Sequence, residues 1–325
     1  MSAMLAQAAP LSGGQRLLAM LLAGISLGAI YALLAMGFVI IFKATQVINF
    51  AHGALAALGA FLVASFATLI NFPGRFLGGA PGWAQWVVSA LAALLASAVV
   101  GIVLERLFIR PMVGEALFSV AIITLGMDIV VRTVTNDFIG GDPRPLGTPW
   151  GVTVVEVGPV SVPLSEIIQI SVAVTLMVLV ALFFRTRTGV AMRATAFDQE
   201  AAQAQGINVG RIFSIAWAIG ALLAAVAGIF ASIFPRSTGV NNFTAFFAFR
   251  AFPAIILGGL DSVVGAVLGG FIIGLAESAA GTYLAGPRFQ WLGSGFAGVV
   301  PYIVMLMVLL IRPYGLLGTE EIRRV

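Results

Sequence analysis

The chain contains no cysteine, one histidine and one lysine (Lys43), and only 9% of its 325 residues are charged. Each scarcity closes off chemistry. Without cysteine there are no disulfides, no thiolate metal sites and no cysteine nucleophile. A single imidazole, His52, cannot build a histidine metal cluster, so neither a metal nor a cofactor is expected. The lysine follows Phe42, and no Gly-x-x-x-x-Gly-Lys-Ser/Thr segment occurs, so the chain has no phosphate-cradling loop of its own.

What is abundant is apolar surface. Hydrophobic residues make up 60% of the chain, and the mean hydropathy is +1.08, far more than a soluble core requires. A bilayer core about 30 Å thick is crossed by roughly 20 apolar residues in a helix. The runs here are continuous and rich in Ala, Leu and Gly, without the alternation that a barrel strand needs. The 38 glycines suit helices packed closely in lipid. The net charge of +4 is carried by scattered residues, with no cationic run or aromatic RNA-binding motif, which argues against nucleic acid as a partner. The N-terminus lacks a charged leader, and its first apolar run is too long for a cleaved signal, so that run is expected to remain as a helix.

The fold expected is all-α, a single polytopic transmembrane bundle over residues 1–325 with eight or nine crossings. The spans fall at 17–42, 50–70, 84–109, 117–135, 164–184, 211–233, 246–258, 262–283 and 296–312. The seventh is short and holds Arg250 and Pro253, which suits a broken or re-entrant segment. Arg185, Arg187, Arg193 and Arg211 crowd one loop, Arg106 and Arg110 another, and Arg312, Arg323 and Arg324 the C-terminus. All fall on one side, which is expected to be cytoplasmic. The opposite side receives 136–163, where Arg144 is outnumbered by Asp137, Asp142 and Glu156, and the N-terminus is expected outside. Two stretches share an order of features, one running from a polar break at 49–53 to Ile109-Arg110-Pro111, the other from a break at 258–262 to Ile311-Arg312-Pro313, as in an internal repeat.

Within spans, Asp128, Arg132 and Glu277 are the notable charges, because an ionised group in hydrocarbon must face protein or water. Asp128 and Arg132, four apart, suit a local ion pair. Glu277 stands alone after Gly265, Gly269, Gly270 and Gly274, two overlapping Gly-x-x-x-Gly frames that predict tight helix packing, and it either bonds a neighbouring helix or lines a path. Asn49 and His52 sit at a polar break, where both are expected to cap the second helix, with a gating role as the alternative. The loop 185–210 is predicted to form one short surface helix over 191–205, stopped at Gly206.

Glu200-Ala201-Ala202, with Gly206 four residues beyond, resembles the EAA loop of ABC importer permeases; the bland alternative is a solvated basic loop. Leu11-Ser12-Gly13-Gly14-Gln15-Arg16 spells the signature peptide of ABC ATPases, but only ten residues precede it, leaving no room for a phosphate loop, and the match is read as coincidence. The wider pattern comprises Gly24-Ile-Ser-Leu-Gly-Ala-Ile-Tyr31, Val47-Ile-Asn49-Phe-Ala-His52-Gly53, the loop from Arg193 through Asp198 to Gly206-Ile-Asn-Val, and Gly258-Gly-Leu-Asp-Ser-Val-Val-Gly265 through to Glu277. It resembles the branched-chain amino-acid ABC permease family, H-type subunit, over nearly the whole chain. The resemblance implies a non-catalytic permease in the bacterial inner membrane that pairs with a homologous permease subunit as a heterodimer. It further implies two ATPase subunits that bind the ATP and grip the loop at Arg193, Asp198, Glu200, Ala201, Ala202 and Gly206, and an extracytoplasmic solute-binding protein. Urea or short amides are the alternative solutes, and an ATPase-independent transporter or channel is the rival machine. A membrane-impermeant reagent applied to intact cells should fail to label a cysteine introduced at Asp198; labelling there would overturn the orientation.

Overall fold

In the computed structural model, residues 12–140, 142–285, 289, 291, 293 and 295–318 are described. Leu11, Arg323 and Arg324, used above, lie outside them. The first helix, α1 (Gly13–Thr45), is apolar on every side. A helix of that composition belongs in the interior, and Ala29 to Ile41 are almost wholly buried. Its start uses two residues of the ATPase-like peptide. Ser12 accepts from the Gln15 N–H while the Gln15 side chain accepts from the Ser12 N–H, a reciprocal capping box.

Around α1 lie α2 (His52–Ala64), α3 (Gly82–Leu104), α4 (Leu117–Ile139) and α5 (Leu164–Phe183). They are followed by two short helices, α6 (Arg187–Phe197) and α7 (Gln199–Ala204), and then α8 (Val209–Ala231), α9 (Phe247–Gly258), α10 (Val263–Tyr283) and α11 (Val300–Ile311). Wide turns at Ser65–Leu69 and Glu105–Ile109 prolong α2 and α3. Seven of these helical stretches are long and apolar enough to cross a membrane, and those at Thr244–Gly258 and Phe296–Ile311 are shorter. The chain is a polytopic helical membrane bundle. α1 packs most extensively on α10 and α8, and α8 in turn on α2 and α3. α3, α4, α5 and α11 turn large apolar side chains such as Leu95, Phe118, Leu179 and Leu310 outward, as lipid-facing helices do.

The two glycine frames of α10 serve two neighbours. A methyl group at Gly270 or Gly274 would collide with the α1 backbone at Ala32 or Gly28, and one at Gly265 or Gly269 with the α9 backbone at Gly258 or Ala254. Backbone contact of this closeness is available only to residues without a Cβ.

The polar break between α1 and α2 is bonded from three directions, with Asn49 Nδ2 and His52 Nδ1 buried and unpartnered among the described residues. Asn49 accepts from the Ala51 N–H at 3.1 Å, and Thr124 of α4 donates to the Ile48 carbonyl at 3.0 Å and accepts from the Phe50 N–H. His52 places Nε2 3.0 Å from the Leu34 carbonyl of α1. Neither Asn49 nor His52 caps α2, contrary to expectation, because His52 lies inside the helix and reaches sideways instead. The second break, at 258–262, is closed by the backbone of Leu316 and Leu317 donating to Leu257 and Gly258, and by Lys43 donating to the Asp261 carbonyl at 3.0 Å. The two Ile-Arg-Pro ends both follow helices but differ in setting: Ile109 is buried and Ile311 is exposed.

Two corrections concern loops. The segment expected as one helix over 191–205 is two, because Asp198 adopts an extended conformation, ends α6, and accepts from the Ala201 N–H at 2.9 Å as the cap of α7. Within 136–163, α4 continues to Ile139, and Val154–Val157 pairs antiparallel with Val160–Pro163 as a hairpin around Gly158 and Pro159. It is the one sheet among the described residues.

A further buried carboxylate, overlooked at the end of the third span, ties α3 to α8. Glu105 accepts from Arg110 at 2.9 and 3.0 Å and from Ser214 at 2.7 Å, and Arg110 also donates to the Gly210 carbonyl. Arg110→Ala strands the Glu105 charge. Because Arg110 is partly solvated, the expected loss is about 2–3 kcal/mol, read as a lowered midpoint of heat-induced aggregation in detergent, with exposed Arg106→Ala near neutral. In the same assay Gly274→Leu should destabilise by about 1–3 kcal/mol or more, whereas Gly126→Ala, into open space, should leave the midpoint unchanged or raise it slightly.

Candidate translocation cavity

Between α1, α5 and α10 the bundle leaves two cavities, at opposite ends of α1. The first, about 780 Å³, is lined by Ala23 and Leu27 of α1, Glu166 of α5, Glu277 and Ser278 of α10, Arg250 of α9, and Arg236, Asn241 and Phe243 of the segment after α8. Glu166, three residues beyond the strand Val160–Pro163, sets it at the hairpin end of α5. The second, about 640 Å³, is lined by Met36 and Lys43 of α1, Met177 to Arg185 at the end of α5, Arg193 of α6, and Asp261 to Val267 at the start of α10. Their linings share no residue, and Leu27 and Met36 are separated by roughly 13 Å of helix rise.

Four charged residues from four segments of the chain meet in the first cavity. Arg236 has its guanidinium 3.6 Å from Glu166, donates to Gln169 at 3.0 Å and to Ser26 at 2.9 Å, and is therefore held by α5 and α1 together. Gln169 in turn donates to the Ser26 carbonyl. Burial pushes Arg236 below the usual guanidinium value, and the Glu166 carboxylate beside it pulls it back; an arginine stays cationic throughout. Glu277 accepts from the Tyr31 hydroxyl at 2.6 Å and lies 3.5 Å from Arg250. The partner of Tyr31 sits 246 residues away, but the glycine contact between α1 and α10 sets the two side chains opposite each other.

Arg250 lies in the turn of α9 that precedes Pro253, inside the helix. Pro253 lacks the N–H that would bond the carbonyl four residues back, and that Phe249 carbonyl accepts instead from the Tyr302 hydroxyl of α11 at 3.0 Å. Along the same segment Phe243, Phe246, Phe249 and Phe252 form an aromatic row, with successive centroids 5.9 to 6.4 Å apart, that ends against Phe50 at the first helix break.

Of the residues singled out from sequence, Glu277 lines the first cavity and Arg193 the second. Glu277 does not stand alone: it bonds a neighbouring helix and faces the cavity at once. Asp128 pairs with Arg132 at 3.0 Å, and Arg132 also lies over the Phe246 ring. Asn49, His52 and Asp128 are buried but line neither cavity. Asp198, Glu200, Ala201 and Gly206 are exposed, Ala202 is buried against the body, and Gly206 holds the left-handed backbone that ends α7. Phe197, at the joint of α6 and α7, is 94% exposed. Sequence reasoning missed Glu105, Glu166, Arg236 and Tyr31. The first two lie inside expected spans, so buried carboxylates are not confined to Asp128 and Glu277.

Residues 20–309 match the family described as "Branched-chain amino acid transport system / permease component". The chain is 30% identical to the high-affinity branched-chain amino acid transport system permease protein LivH of Escherichia coli K12, over 93% of this chain and 96% of that protein. It is also 30% identical to the corresponding permease protein BraD of Pseudomonas aeruginosa, over 93% and 96%. To the probable branched-chain amino acid transport permease protein LivH of Methanocaldococcus jannaschii it is 29% identical, over 89% and 88%. With the profile spanning nearly the whole bundle and the relatives aligned almost end to end, the chain belongs to the permease family of branched-chain amino acid transport systems.

Proposed function

We propose that the chain is the permease subunit of an ATP-driven, binding-protein-dependent importer of branched-chain amino acids in the bacterial inner membrane. The observation that carries the reading is the pair of cavities between α1, α5 and α10, one at the hairpin end of α5 and the other beside α6. A permease that alternates between access from the two sides needs such mouths at opposite ends of one path.

The basic residues set the orientation. Lys43, Arg185 and Arg193 meet at the second cavity, and Arg110 reaches Gly210, so the cation-rich breaks and loops gather at one end. By the positive-inside rule that end faces the cytoplasm, and the C-terminal segment from 312 faces the same way. The hairpin end faces outward and receives solute from the binding protein. A homologous permease subunit completes the path against α5 and α10. Two ATPase subunits grip α6 and α7, with Phe197 and Glu200 presented to them. The chain is non-catalytic and needs no cofactor; the ATP is bound by those partners. Closure of the ATPases shifts α6 and α7 as a body, and the Arg110–Gly210–Glu105 contacts carry the shift from the exit of the loop into α3 and α8.

Glu200→Arg reverses a charge on the gripped surface, and Gly206→Pro forbids the left-handed turn and removes the N–H donated to Gln203. Each should cut uptake of labelled leucine by at least about tenfold in cells, with the quantity of protein in the membrane unchanged. Normal uptake in both variants would count against the docked loop. Uptake by the purified chain alone in liposomes, without ATPase subunits, would replace the importer by a self-sufficient transporter.

A further inference from the structure

The two ion pairs in the outer cavity differ in how firmly they are held. Arg236 is fixed by Glu166, Gln169 and Ser26 and is only 14% exposed. Glu277 and Arg250 make a looser pair. One Glu277 oxygen is anchored by the Tyr31 hydroxyl at 2.6 Å, while the other has only the 3.5 Å approach of the Arg250 guanidinium. The Arg250 side chain is 53% exposed, so it can swing without losing a buried contact. Leu27, Phe243, Phe246 and Phe247 supply apolar wall beside them.

We propose that Glu277 and Arg250 form an openable clamp for the two charges of an amino acid. The α-ammonium takes the free Glu277 oxygen, the α-carboxylate takes the guanidinium, and the aliphatic side chain lies against Leu27 and Phe247. This deepens the importer reading and rests on it. Physical chemistry favours a zwitterion here for two reasons. Glu166, Glu277, Arg236 and Arg250 sum to zero, so a dipolar solute enters without bringing net charge into the membrane, which a carboxylic acid or an amine would do. Inserting the solute also exchanges one long ion pair for two charge-assisted contacts, so neither protein charge is left bare. A cavity of about 780 Å³ is within the roughly 300–1,000 Å³ of small-molecule sites.

The test uses the complete transporter in proteoliposomes with its binding protein, following uptake of radiolabelled leucine and ATP hydrolysis in parallel. R250Q and E277Q should each lower leucine moved per ATP hydrolysed by about tenfold, the worth of one charged contact. Gln at 277 can still accept from Tyr31, and Arg250 is exposed, so R250Q reports even if E277Q folds poorly. A diazirine analogue of leucine should label the peptide holding Phe247 in the wild type. Leucine should compete for that label, 4-methylpentanoate and 3-methylbutylamine should not, and R250Q should abolish it. Wild-type uptake with an undiminished ratio in R250Q, or labelling displaced equally by the singly charged analogues, overturns the clamp. A wild-type complex that moves no leucine while hydrolysing ATP overturns the importer reading itself, and the clamp with it.

Discussion

The structure depends on the direct contact of two backbones, α1 against α10. Where Gly28 faces Gly274 and Ala32 faces Gly270 the helices approach without intervening side chains. Lipid offers no hydrophobic reward for helix association, so close packing and internal polar bonds have to supply it. The same approach brings the Tyr31 hydroxyl to Glu277 and so makes a buried carboxylate tolerable three residues beyond the last packing glycine. Packing and polar satisfaction are here one arrangement, and the first cavity is the space left beside it.

That arrangement also explains how the charged groups are shared among helices. Glu105 answers to α8, Arg236 to α1 and α5, Glu277 to α1 and α9. The Arg236–Glu166 and Arg250–Glu277 pairs close charges between different helices, whereas Glu105 is neutralised by Arg110 five residues on and reaches α8 through Ser214. Partners removed from water in this way fix helix register as well as charge.

The membrane class, the span positions and the packing role of the α10 glycines were legible in the sequence because they follow from local composition and spacing. The Asp128–Arg132 pair was legible for the same reason, being four residues apart on one helix. The partners of Glu277 were not, since Tyr31 and Arg250 reach it through tertiary packing. Glu166 and Arg236 sat at the margins of spans, where a charge reads as an interfacial anchor. The joint between α6 and α7 did carry a signal: Asp198 is a strong cap residue in front of Gln-Glu-Ala-Ala, but the surrounding alanines outweighed it in a reading by composition. The hairpin likewise had alternating valines about Gly158-Pro159, hidden within a segment read only as a connection.

The hydroxyl that Tyr302 lends to the Phe249 carbonyl makes the lipid-facing helix α11 a structural member of the cavity wall. A sideways slip of α11 would leave that carbonyl bare in a dry setting, so the turn of α9 bearing Arg250 travels with α11. One hydroxyl thus ties the layer of the bundle that faces lipid to the lining of the first cavity.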